Sequence, residues 1–201
     1  MEEAEVVCVM AKKSKLKPIT GQSNITIEPP TLVARMRVHG PLPKEHALNA
    51  MIGHVASEWS HVEHILDLII WELAKVPYPY GACITAQVMG SYGRCKAIIA
   101  LLKQRGLSER AAKDTQALMY RCQTTAEGRN RIIHDPWYIE TGGSKQPAQF
   151  KGMAYREWAW GIKDVDVEKI DKTVVDIQKR KEEAAKLLNA ISVELESLRK
   201  K

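Results

Sequence analysis

One stretch of the chain sets a histidine, two arginines and an amide beside an enforced helix break. It reads Gly128-Arg129-Asn130-Arg131-Ile132-Ile133-His134-Asp135-Pro136-Trp137. Imidazole gives and takes protons near neutral pH, and a guanidinium can bind two oxygens of a phosphate or carboxylate at once. The combination suits proton transfer at a phosphate. Pro136 has no N–H and pushes Asp135 out of the helical region, so a helix arriving from the N-terminal side must stop near His134. Arg129, Arg131 and His134 then occupy its last turn or two, where the negative end of the macrodipole favours cations. Helix physics alone would also select these residues, so their meaning depends on what surrounds them.

Other constellations are weaker. His54, Glu58 and His61 recur at i, i+4 and i+7 and share one helix face. Such a set can hold a metal, yet the chain has no H-E-x-x-H, and a solvated polar face explains the residues equally well. Met89-Gly90-Ser91-Tyr92-Gly93 lacks the G-x-x-x-x-G-K-[ST] spacing and a preceding strand, so it is no phosphate loop. Four cysteines (Cys8, Cys83, Cys95, Cys122) form no C-x-x-C pair and no zinc spacing. They read as reduced, mostly buried thiols of a cytoplasmic protein. Neither a metal nor a cofactor is called for. Lys12, Lys13, Lys15 and Lys17 form a basic cluster that is either a solvated tail or an arm touching nucleic-acid phosphate.

The 201 residues suffice for one domain with a sizeable core and an appendage. Hydrophobic residues make up 45% and charged ones 27%, as in soluble globular proteins. Phe occurs once, so the core rests on aliphatic residues and Met, with five Trp as anchors. The net charge of +6 suits an acidic or nucleic-acid partner without requiring one. The start, MEEAEVV, lacks the basic and apolar regions of a signal peptide. The densest apolar run, Ile65 to Leu73, is interrupted by Asp67 and Glu72, so no membrane span is expected.

Four main helices are expected to position the motif. Residues 1–44 read as a largely irregular arm, with Thr31–Val38 alternating well enough for a short strand. Lys44–Lys75 is the clearest helix, with Leu48, Ile52, Val55, Trp59, Val62, Leu66, Ile69 and Leu73 on one face; Pro77 and Pro79 end it. A second helix is expected over Gly81–Gly106, striped by Ile84, Val88, Tyr92, Cys95, Ile98, Ile99 and Leu102. Gly90 and Gly93 would mark a kink or a close approach in its middle, and Gly106 a C-terminal cap. The third starts after an N-cap at Ser108, buries Ala112, Thr115, Met119, Cys122, Ala126 and Ile133, and ends at the motif. Residues 137–161 change to alternation with Thr141-Gly142-Gly143-Ser144 turn chemistry, which predicts a small β-hairpin. The last helix begins near Asp164 or Asp166 and continues to the end, long enough to pack on a partner subunit or fray. Lys181 interrupts its apolar repeat.

An all-α bundle whose third main helix ends in Arg129-Asn130-x3-His134 resembles the HEPN domain family, whose signature is R-x4-6-H. The first helix is similar too: Trp59-Ser60-His61-Val62-Glu63-His64-Ile65-Leu66 looks like the W-x-x-x-E-x-x-L opening of several HEPN-like groups. The resemblance covers residues 45–200; the arm and the hairpin are additions to the family pattern. It implies a HEPN-like antiparallel helical bundle and, for many members, metal-independent endoribonuclease activity of toxin or phage-defence type.

That chemistry is coherent from first principles. When the RNA 2′-OH attacks the adjacent phosphorus, a base must take its proton, an acid must assist the leaving 5′-oxygen, and a cation must stabilise the phosphate. His134 suits the proton transfers and Arg129 the phosphate; Asn130 shares His134's side of a helix and could orient the ring or bond the phosphate. Arg129 is roughly 140° around an ideal helix from His134. The two converge within one chain only if the helix end loosens. The resemblance implies another solution, a homodimer in which both motifs meet in one basic cleft and each chain supplies a histidine. Glu63 would hold Arg129 or make a structural ion pair. Arg121 and Arg131 would contact phosphate or simply be solvated, Asp135 would pair with His134 or begin the turn, and Trp137 and Tyr138 would stack a base or anchor the hairpin. RNA is the implied substrate. A toxin-type member would also have a protein antitoxin or regulator as partner. The alternative is a non-catalytic HEPN-like dimeric module that binds a protein or nucleic acid.

Overall fold

A computed structural model describes residues 39–140, 147–151 and 161–200. The lysine cluster, the Thr31–Val38 segment, the 141–144 turn, Trp158 and Trp160 lie outside the described residues. The chain forms two compact units: Lys44–His134 with Asp166–Lys201, and Met1–Pro43 with Asp135–Val165. The sequence placed residue 44 as the end of an arm and 137–161 as an insertion within one bundle. The structure instead groups that insertion with the N-terminal segment.

The first unit contains five helices, α1 (Ala47–Ala74), α2 (Tyr78–Thr85), α3 (Gly90–Gln104), α4 (Glu109–His134) and α5 (Glu168–Arg199). The predicted stripe of α1 is its buried face: Leu48, Val55, Trp59, Val62, Leu66, Ile69 and Leu73 are buried, and Ile52 is half-buried. The imidazole of His46 caps the start, its Nδ1 accepting from the Leu48 N–H at 3.2 Å. At the far end Lys75 adopts the left-handed conformation. Its N–H donates to the Glu72 carbonyl at 3.2 Å and that of Val76 to the Trp71 carbonyl at 3.2 Å. This is a Schellman closure with lysine where glycine is usual.

The single helix expected over 81–106 is two. Pro79 sits in the first turn of α2, where its missing N–H costs nothing. α2 ends at Thr85 and α3 begins at Gly90, whose φ of +61° is incompatible with one continuous right-handed helix across the break. Of the two glycines the sequence marked as a weak point, Gly90 stands at a break, while Gly93 lies within α3. Ile84 and Tyr92, expected on the buried stripe, are exposed as a result, while Cys95, Ile98 and Leu102 beyond the break are buried. Gly81 has a different reason to be glycine: a β-carbon there would lie 2.5 Å from Trp71 Cγ. Gly106, at φ +67°, closes α3 as predicted.

Ser108 caps α4 as expected, its hydroxyl accepting from the Ala111 N–H at 3.2 Å and donating to Glu194 of α5 at 2.6 Å. α5 starts after Asp166, whose carboxylate accepts from the Glu168 N–H at 3.0 Å. At 32 residues it spans about 48 Å. Its buried residues reach Ile191 and Leu195, so this chain's own bundle takes up most of the repeat; Val193 and Leu198 are exposed. Lys181, the interruption, donates to Glu58 on α1 at 2.6 Å. The order of contacts fixes direction. Glu58–Lys181 and Glu72–Ser192 run in the same sense, so α1 and α5 are parallel. Ser108–Glu194 and Arg121–Glu183 run oppositely, so α4 is antiparallel to α5.

The second unit is more than the expected hairpin. β1 (His39–Pro41), β2 (Trp137–Glu140), β3 (Pro147–Lys151) and β4 (Gly161–Asp164) form an antiparallel meander in chain order. Trp137 pairs with Gln149, Phe150 with Ile162, and Pro41 with Tyr138. β1 comes from the segment expected to be irregular. A three-residue strand is too short to show period-2 alternation, and only pairing with β2 makes it a strand. The all-α description therefore holds for the bundle and not for the whole chain.

Candidate functional site

The motif occupies the last turns of α4, and the helix continues through His134 without loosening. Arg129 and His134 consequently keep the separation of an ideal helix, about 140°. Arg129 extends the buried stripe of Ala111, Leu118 and Cys122, whereas His134 extends the exposed side that carries Tyr120 and Glu127. Pro136 ends the helix but does not unwind it, so the two side chains of one chain point to different sides.

The side chain of His134 is exposed and makes no hydrogen bond or ion pair among the described residues. Asn130 is exposed on nearly the same side. Its Oδ1 accepts from Arg129 Nη1 at 2.7 Å. Arg129 is half-buried; its Nε is fully buried and has no hydrogen-bond partner among the described residues. Leaving such a donor unmet costs about 1–3 kcal/mol.

The expected supporting residues are arranged differently. Glu63 does not reach Arg129. It lies 3.9 Å from Arg94 of α3, whose Nε donates to Asp67 at 2.7 Å and whose Nη1 donates to the Val88 carbonyl at 3.0 Å. Arg94 thus ties the break between α2 and α3 to α1, and Glu63 belongs to that tie. The sequence missed Arg94 because its partners sit 27 and 31 positions earlier (94 − 67 and 94 − 63), a distance that no local pattern spans. Arg121 is likewise neither a free phosphate ligand nor merely solvated: its Nε donates to Glu183 of α5 at 2.9 Å, and Arg180 reaches the same oxygen at 3.2 Å. Arg131 is half-buried on the last turns of α4. Asp135, Trp137 and Tyr138 belong to the sheet unit, all half-buried, with Trp137 and Tyr138 in β2.

The histidine face of α1 is likewise organised by a charge pair. His54 and His61 are exposed, while the Lys181 ammonium donating to Glu58 holds that carboxyl below the usual range, against the opposing effect of burial. Among the described residues no group of three or more His, Cys, Asp or Glu side chains could hold a metal. Cys95 and Cys122 are buried, and burial pushes their thiols up to about 12 and about 11; Cys83 is exposed. No described helix is long and apolar enough to cross a membrane.

One chain therefore offers an exposed histidine with an amide beside it, and an arginine directed to another side. No family model, curated protein or solved structure matches the chain.

Proposed function

We propose that the protein is a HEPN-like, metal-independent endoribonuclease of toxin or phage-defence type that works as a homodimer. The observation that carries the reading is His134: an exposed imidazole at the end of α4 with no partner among the described residues, with Asn130 beside it and Arg129 five residues earlier on another side. Because α4 stays helical, the Arg129 and His134 of one chain do not meet. A cleft shared by two chains supplies what one lacks, with one histidine as base, the other as acid, and guanidinium on the phosphate.

The test is RNA cleavage in EDTA by the wild type and by His134→Ala. His134 is exposed, so its removal leaves the fold intact and isolates chemistry. Cleavage falls by at least about a hundredfold, the usual worth of a general acid or base. Equal cleavage by the variant, or cleavage that EDTA abolishes in the wild type, refutes the proposal.

A second reading, a non-catalytic HEPN-like module that binds a protein or nucleic acid, is favoured by the half-buried side chain of Arg129, whose stem continues the buried stripe of α4 and is committed to packing. Under that reading Arg129→Ala lowers the melting temperature and neither protein cleaves RNA.

A further inference from the structure

A groove of about 470 Å³ opens where the C-terminal ends of α1 and α5 come together, away from the Arg129–His134 end of α4. Its lining mixes apolar and polar side chains; the apolar ones are Leu68 and Trp71 from α1, Leu188 from α5, and Val76 beyond the α1 cap. The Trp71 N–H donates to Thr85 Oγ1 at 3.2 Å, so this largely buried indole brings no free donor to the floor of the groove. Tyr78 completes one wall, its ring centred 5.7 Å from that of Trp71 and tilted by 44°. Lys75 and Arg199 are exposed at the rim, and neither side chain has a partner among the described residues. The one carboxylate in the lining, Glu72, already accepts from the Ser192 hydroxyl at 2.8 Å.

Lys75 carries a second, independent signal. Among the described residues it alone, apart from glycines, has positive φ (φ 55°, ψ 40°). The equivalent position closing α3 is Gly106. A β-carbon in this conformation is strained, and glycine would relieve it. A lysine one turn earlier would serve the helix dipole equally well without strain. This residue with positive φ is also one of the two basic residues that line the groove.

We propose that the groove binds a small molecule joining a flat apolar body to one anionic group, a carboxylate or a phosphate. Tyr78, Leu68 and Leu188 receive the body, over a floor that includes the buried Trp71; Lys75 and Arg199 receive the charge. The size of the groove suits such a ligand.

The test is calorimetric titration of the full chain with naphthalene-2-carboxylate, 2-naphthyl phosphate and the neutral 2-naphthalenemethanol. At least one anion binds, the tighter of the two identifying the head group, and the alcohol binds about tenfold more weakly or worse. Arg199→Gln weakens anion binding about tenfold with the melting temperature unchanged. Lys75→Gly raises the melting temperature while weakening binding, a pairing that a simple helix cap would not produce. The proposal is overturned if neither anion binds more tightly than about 1 mM, if the alcohol binds as well as the anions, or if Lys75→Gly leaves anion affinity unchanged. None of these readouts involves RNA, so failure here is separate from failure of the nuclease.

Discussion

His134 and Arg129 differ in how much of each side chain the fold has taken. The imidazole is exposed and its loss should be silent for stability; Arg129 is half-buried with its stem on the buried stripe of α4, and loss of that packing should not be silent. This difference makes His134→Ala the clean probe of chemistry. The thiols follow the same rule. Burial suppresses the thiolate of Cys95 and Cys122, and only the thiolate reacts. In a Cys8→Ser background, a disulfide reagent should modify one thiol of the native protein, Cys83, and all three after unfolding, as absorbance at the released thiol counts. Native reaction at Cys95 or Cys122 would contradict the packing of α3 on α4.

Two glycines show how helices obtain their boundaries and contacts. Gly81 exists for Trp71: a β-carbon would collide with indole ring atoms at 2.5 to 2.8 Å, which the buried ring has no room to avoid. Gly81→Ala should cost about 1–3 kcal/mol in urea unfolding, the range for overpacking. Gly53, exposed within α1, has nothing within 4 Å of the added carbon. Gly53→Ala should therefore stabilise by up to about 1 kcal/mol, from helix propensity alone. Opposite signs from the same substitution would separate packing from propensity; equal signs would disprove the Trp71 contact. The α2–α3 break belongs to this scale as well, since Gly90 lets the chain turn and Arg94 holds the turn to α1.

Over the whole bundle, ion pairs between distant helices couple stability to pH. Glu58 is held ionised mainly by the hydrogen bond from Lys181, with that ammonium's charge and then His54 and His61 adding to the effect. Its folded pKa lies below its unfolded one. The stabilisation is thus full above the ordinary carboxylate range and disappears as pH falls through the folded value. The urea midpoint should drop between about pH 5 and pH 3, and Glu58→Gln should lose about 1 kcal/mol at pH 7 while flattening that drop. An unchanged slope would mean the pair does not act. Assembly is tested at this scale too. The proposed shared cleft requires a particle of about 45 kDa, twice the 22.6 kDa chain, by light scattering. Excess His134→Ala chain mixed into wild type should suppress cleavage by forming mixed dimers; a monomer of full activity would end the shared-cleft mechanism.

The sequence by itself determined the parts governed by near neighbours. The buried face of α1 follows from its 4-3 rhythm, the end of α4 from Pro136, the Ser108 and Asp166 caps from their types, and the Gly106 closure from the freedom of glycine at positive φ. Even the separation of Arg129 from His134 was legible, because helical geometry is local. The buried side of α4 was legible in part: Thr115, Met119 and Cys122 are buried as expected, but Ala111, Leu118 and Ile132 complete that side, while Ala112, Ala126 and Ile133 are only half-buried. Only the tertiary structure decided which charges meet. Glu63 faces Arg94, Arg121 faces Glu183, and Lys181 faces Glu58, each across a contact between helices far apart in the chain. It also made a strand of His39–Pro41, which has no pattern of its own and becomes ordered by hydrogen bonds to β2. A carboxylate or an edge strand finds its partner through space, and the spacing of residues along a chain does not encode that distance.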